Sequence, residues 1–338
     1  MSTGTPSLAD LTELLSRELP GPLTVLDLQR LPGSSATWSF DVLDAAGVGH
    51  PLILRRDRAD GRARNPDIIA GRADALDRAG EFALLRHLHA AEIPVPRPVA
   101  AAQPGDALDD CYVMERADGE TRPWALIGTA ALDQVRPRLV RQLGAALARV
   151  HSRTAADLPF LPQRPLADQL ELVRTLLDLG GPPRPALEAG LRWCRDHLPR
   201  LGPRPMCLVH GDFRTGRYAV GPDGLRALLG WELAHLGDPA TDLAHACLRT
   251  WRFGADDQEF TGIGTRADFF AAYQAAGGTR LDERAVHYGE VLTTLRTAGV
   301  FLSRTIGFRC GAERTVQAAR IGRRIAEIEY DLLALLDR

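Results

Sequence analysis

Between Cys207 and Pro239 two short apolar runs each end in a turn rich in charge. Leu208-Val209 runs into His210-Gly211-Asp212-Phe213-Arg214-Thr215-Gly216-Arg217. Leu228-Leu229 runs into Gly230-Trp231-Glu232-Leu233-Ala234-His235-Leu236-Gly237-Asp238-Pro239. Strand ends that open onto charged loops are where a rigid scaffold presents binding and reacting side chains. From about residue 120 onward the apolar spacing is mainly helical, so these loops are set in a helical surround.

The paired motifs resemble the catalytic core of the aminoglycoside phosphotransferase family, in the branch fused to acyl-CoA dehydrogenases. That branch reads His-Gly-Asp-Phe-Arg-x-Gly-Asn and then Asp-Trp-Glu-x-x-x-x-Gly-Asp-Pro. The resemblance extends over nearly the whole chain. It implies an α+β, protein-kinase-like bilobal fold, with a small antiparallel-sheet lobe over residues 1–116 and a larger, mostly helical lobe over 117–338. In the branch pattern, Asn and the first Asp are the magnesium ligands. Here they are Arg217 and Gly230.

Phosphoryl transfer depends on positioning and on charge neutralisation by Mg²⁺, while a separate Asp accepts the substrate hydroxyl proton. Mg²⁺ takes oxygen ligands in a near-octahedral shell. Glycine offers no side-chain oxygen, and a guanidinium repels a divalent cation at short range. Asp212 keeps the base position, five residues before Arg217, so the register of the motif is intact. Three readings stay open. In the first, the fold serves metal-independent acid–base chemistry (isomerisation, cyclisation, elimination or hydrolysis), with Asp212, His210, Arg217 and Glu232 as the catalytic candidates. In the second, Glu232 replaces the lost ligand and the chain is an active ATP- and Mg²⁺-dependent small-molecule kinase. In the third, it is a non-catalytic pseudokinase that binds a partner. Arg217 can clamp a phosphate or carboxylate in place of a metal, or simply pair with Asp212 and shut the site.

The remaining candidates follow the resemblance. Leu31-Pro32-Gly33-Ser34-Ser35 stands where the family has a glycine-rich phosphate loop, so Ser34 and Ser35 are nucleotide candidates, although one glycine and two serines also describe a plain turn. Arg55 ends the third strand and Glu81 lies in the following helix, the positions of the family's basic residue and its carboxylate partner. Met114 sits on the strand that resembles the hinge. Residues 57–74, rich in Arg, Asp, Gly and Asn, read as a mobile loop or lid. Arg214, His235, Arg249, Trp251 and Arg252 are candidates for receiving a substrate that is anionic or acyl. Asp242 resembles the aspartate that braces the catalytic loop through backbone N–H groups. Asp238 reads as a helix cap with Pro239 after it. His151 ends a helix, where its ring would meet the helix dipole.

Composition sets outer bounds. The chain has 338 residues and a net charge of −2, which speaks against a nucleic-acid-binding or polybasic membrane surface. All 41 basic residues are arginine, so no lysine is available for a Schiff base. Five cysteines without a C-x-x-C pair read as reduced buried thiols, hence a cytoplasmic setting and no metal site. No run of about eighteen apolar residues is present. The resemblance, with its two magnesium-ligand positions changed, implies no required cofactor and a small-molecule partner, and apolar spacing predicts two long helices over about 281–302 and 312–336.

Overall fold

The computed structural model describes residues 5–31, 36–56, 75–311 and 315–338, with no side-chain account of residues 317 and 318. Ser34, Ser35 and the 57–74 loop lie outside the described residues. The chain divides into two compact units at Asp118/Gly119.

The first unit opens with α1 (Leu8–Leu15), whose cap is the Ser7 side chain accepting from the Asp10 N–H. Strands β1 (Thr24–Arg30), β2 (Ala36–Leu43), β3 (Gly49–Arg56), β4 (Pro98–Ala101) and β5 (Cys111–Glu115) form one sheet in the order β1-β2-β3-β5-β4. Every neighbouring pair is antiparallel. On β2 the alternation of Ala36, Trp38, Phe40 and Val42 with polar residues puts one face of the strand inward. These side chains pack with Leu11, Leu15, Leu52, Leu54 and Val113. Helix α2 spans Arg78–Ala90, capped by Asp77, and so starts before the glutamate at which its apolar spacing begins.

The second unit is helical around two short strand pairs. Its helices are α3 (Pro123–Gly128), α4 (Arg136–His151), α5 (Leu166–Leu179), α6 (Pro185–His197), α7 (Ala240–Cys247), α8 (Arg266–Ala275), α9 (Glu283–Arg309), α10 (Val316–Ile321) and α11 (Ile325–Leu336). Strand β6 (Cys207–Val209) pairs antiparallel with β9 (His235–Gly237), and β7 (Tyr218–Gly221) with β8 (Gly224–Leu228). The core of the unit is built by α5, α6, α9 and α11 through Leu170, Val173, Leu191, Val291, Leu295 and Leu332.

Sequence spacing predicts one helix over 312–336, but the structure breaks it at a 3-10 turn, Gly322–Arg324. A Cβ on Gly322 would come within 2.6 Å of the Thr305 hydroxyl on α9. The close crossing explains a glycine there, and glycine weakens a helix. Among the described residues no helix is long and apolar enough to cross a membrane.

Candidate functional site

Strand β6 delivers the chain into His210-Gly211-Asp212. Gly211 has φ +81°, and a Cβ there would stand 2.4 Å from the Leu233 carbonyl oxygen, so only glycine fits the turn. The turn is held from α7. The Asp242 carboxylate accepts the His210 N–H at 2.6 Å and the Gly211 N–H at 2.9 Å. Burial alone would raise the Asp242 pKa, but the His151 contact and the backbone donors bring it down to about 2. His151 does more than meet a helix dipole: Nε2 lies 3.3 Å from Asp242, and Nδ1 2.9 Å from the Tyr273 hydroxyl.

His210, a catalytic candidate from the sequence, has both ring nitrogens on the main chain. Nδ1 accepts the Asp212 N–H at 3.2 Å, so the proton sits on Nε2, which donates to the Leu229 carbonyl at 3.0 Å. Burial pushes its pKa below the usual value. It is a loop brace with no free nitrogen for acid–base work.

Asp212 is buried and surrounded by donors. Arg214 Nε reaches Oδ1 at 2.7 Å, Arg217 Nε reaches Oδ2 at 2.5 Å, and His245 Nε2 lies 3.0 Å from Oδ1. Burial opposes ionisation of Asp212, yet the two guanidiniums and His245 hold its pKa well below the carboxylate range. His245 is itself brought down to about 4, first by burial. It is therefore a neutral imidazole that donates Nε2–H to the carboxylate, and its buried Nδ1 has no hydrogen-bond partner. His245 is absent from the sequence-based candidates. The available signal was its place one helical turn after Asp242, on the side of α7 that meets the loop.

Arg217 also approaches Glu232 Oε1 at 3.2 Å. Trp251 lies under Arg214, with the guanidinium carbon 4.1 Å from the ring centre. Arg249 and Arg252 are engaged elsewhere: Arg249 pairs with Asp256 and Asp331, both at 3.1 Å, and Arg252 donates to the carbonyls of Asp256 and Cys247. His235, on β9, bonds the Leu233 carbonyl.

Gly230 adopts φ +78°, and a Cβ at that position would stand 2.8 Å from Arg217 Nη1 and 2.9 Å from its Cδ. The arginine side chain thus lies across the volume that a larger residue 230 would need. Of the two expected ligand positions, one carries no oxygen and the other carries a cation paired to Asp212. As arranged, these residues do not fit a divalent ion. Among the described residues no group of three metal-ligating side chains converges.

In the first unit the sequence-paired Arg55 and Glu81 stand 3.4 Å apart. Glu81 is fully buried and also binds Arg78 at 2.5 Å and the Tyr112 hydroxyl at 2.7 Å. Met114 is half-buried on β5, between Ile53 and Pro98 in register.

An antiparallel five-stranded unit with a helix carrying a buried glutamate, and a helical unit with a His-Gly-Asp loop braced by a distant aspartate, define a kinase-like fold. The chain belongs to the phosphotransferase enzyme family, whose model matches residues 29–287. Over 232 residues it is 27% identical to acyl-CoA dehydrogenase family member 11 of Rattus norvegicus, covering 63% of this chain and 29% of that protein. Over 181 residues it is 33% identical to homoserine kinase of Rhodospirillum rubrum, covering 50% of this chain and 52% of the kinase. The chain thus spans under a third of the dehydrogenase relative and about half of the kinase. Among solved structures, a protein of Ralstonia eutropha described as an aminoglycoside phosphotransferase superposes with a TM-score of 0.74 at 18% identity, covering 97% of this chain and 98% of that one. A spectinomycin phosphotransferase solved with ADP and spectinomycin gives 0.63 at 12% identity, over 97% and 98%. At such identities the likeness is one of fold.

Proposed function

We propose that this chain is a small-molecule enzyme of the phosphotransferase fold that works without Mg-ATP, by acid–base chemistry at Asp212 on an anionic or acyl substrate. The supporting observation is the Arg217–Gly230 pair: the guanidinium lies against the bare backbone at 230 and binds the Asp212 carboxylate at 2.5 Å. A fixed guanidinium can neutralise a phosphate or carboxylate in a metal's stead.

While Arg214 and Arg217 both hold Asp212, it is too weak a base to take a proton. An arriving anion that draws Arg217 away removes the charge that depresses Asp212, and its proton affinity rises. His245 Nε2–H stays on the other oxygen and fixes the carboxylate's orientation. The bond to be formed or broken is left to the substrate. The names of two relatives, acyl-CoA dehydrogenase family member 11 and homoserine kinase, point to an acyl thioester and to an amino acid, in line with an anionic or acyl substrate.

A second reading is supported by Glu232. It lies 3.2 Å from Arg217, so a swing of that side chain would take one cation away from both carboxylates that it contacts, Asp212 and Glu232. That pair could then receive Mg²⁺ and ATP. Thermal shift with ATP, with and without Mg²⁺, separates the two. The wild type is expected to gain no Mg²⁺-dependent stabilisation, whereas Arg217→Asn/Gly230→Asp gains it. Metal-enhanced ATP stabilisation of the wild type would abandon the first reading for the second.

A further inference from the structure

The end of α9 and the start of α10 carry a charge that the chain as a whole does not. Between residues 304 and 324 stand six arginines and one glutamate, against a net charge of −2 overall. The two stretches cross closely where Gly322 meets Thr305, so they share one corner of the helical unit. Gly180, just past α5, lies against α9 as well: a Cβ there would stand 2.8 Å from Leu302 Cδ1. That contact brings the end of α5 to the same corner.

Four large apolar side chains stand open to solvent here: Leu179 at 55%, Ile306 at 38%, Phe308 at 40% and Val316 at 79%. Helical spacing sets arginines beside two of them. Ile306 has Arg309 at i,i+3, Val316 has Arg320 at i,i+4, and Arg323 follows one turn on. Arg309, Arg320 and Arg323 are exposed and have no ion pair among the described residues. Arg122 and Arg249, also exposed, each hold an acid.

We propose that this corner docks on a bilayer surface bearing anionic lipid. Ile306, Phe308 and Val316 enter the boundary between headgroups and acyl chains, and Arg309, Arg320 and Arg323 bind headgroup phosphates. Unpaired guanidiniums beside exposed apolar side chains complement a layer of anionic phosphate over hydrocarbon. A free phosphate would match the arginines alone, and a neutral apolar protein face the hydrophobic side chains alone. Among the described residues no helix is long and apolar enough to cross the bilayer, so the contact is one that lies on its surface. This surface goes beyond the chemistry assigned to Asp212 and stands whether or not that assignment holds.

The test is flotation of the full chain with vesicles of phosphatidylcholine alone and with vesicles that are half phosphatidylglycerol. Affinity for the second kind is expected to be at least about tenfold higher, and added salt should release the chain by screening the phosphates. An arginine near an anionic surface is worth about fivefold in affinity. Arg320→Gln/Arg323→Gln should therefore bind about thirtyfold more weakly. Phe308→Ser should bind about tenfold more weakly while keeping the wild-type salt dependence. All three positions are exposed, so the fold should tolerate the changes, and an unaltered thermal midpoint checks this. Equal flotation with both vesicles, flotation with neither, or full binding by both variants overturns the proposal. Release by millimolar glycerol phosphate at constant ionic strength would assign a free phosphate ligand and overturn it too.

Discussion

Arg217 and Gly230 act as one structural unit. Aspartate tolerates the left-handed backbone at 230 better than most residues, so conformation alone does not forbid it. The obstacle is the arginine, 2.8 Å from where a Cβ would sit. Gly230→Asp alone is therefore expected to cost about 1–3 kcal/mol in urea unfolding. Adding Arg217→Asn should return at least about 1 kcal/mol of that loss, because contacting sites are not additive. Strict additivity of the two changes would show that the side chains do not contend for one space. The two substitutions were legible in the sequence as departures from a family motif. Their mutual fit was not, since it depends on the path of a long side chain over a neighbouring strand end.

Helix α7 shows how far sequence reasoning reaches at the level of elements. The role of Asp242 as a loop brace was readable because Asp242 follows the His-Gly-Asp and Gly-Asp-Pro motifs in a recognisable order. His245 was not, because a histidine in an alanine-rich helix resembles any buried helix residue until the facing element is known. Asp238 reads as a cap with Pro239 after it, and the structure agrees: its carboxylate accepts the Ala240 N–H at 2.9 Å, and Pro239 already has helical dihedrals although the regular helix is counted from Ala240. The final helix was predicted as continuous, since apolar spacing does not register a crossing that admits only glycine. A second such crossing fixes α7 against α9. A Cβ on Gly289 would meet Ala244 Cβ at 2.9 Å and the Ala240 carbonyl oxygen at 3.0 Å. Helix propensity favours Gly289→Ala by about 1 kcal/mol, and overpacking opposes it by about 1–3 kcal/mol. Packing is expected to win, with a lower thermal midpoint and weaker protection of the 210–212 amides from hydrogen exchange. A midpoint raised by the substitution would mean that the helices part easily at this contact.

Across the whole chain, buried titratable groups make stability depend on pH in two windows. His235 and His245 are brought down to about 4, against an ordinary 6.5. Below 6.5 the unfolded chain takes protons that the folded one refuses, so stability falls as pH drops from there towards 4. Asp242, at about 2 against 3.8, adds a further loss below about pH 4. Between pH 7.5 and 5.5 the two imidazoles together should remove on the order of 3 kcal/mol of unfolding free energy. Equal urea midpoints at these two pH values would mean that the rings are not held neutral. Helix α7 is eight residues long, yet it supplies both the grip on two successive amides and the imidazole beside the Asp212 carboxylate. A slide of one residue along its axis, about 1.5 Å, would release the grip and withdraw the ring in a single movement. Damage to this element should therefore silence the centre abruptly, with no half-assembled form in which one anchor outlives the other.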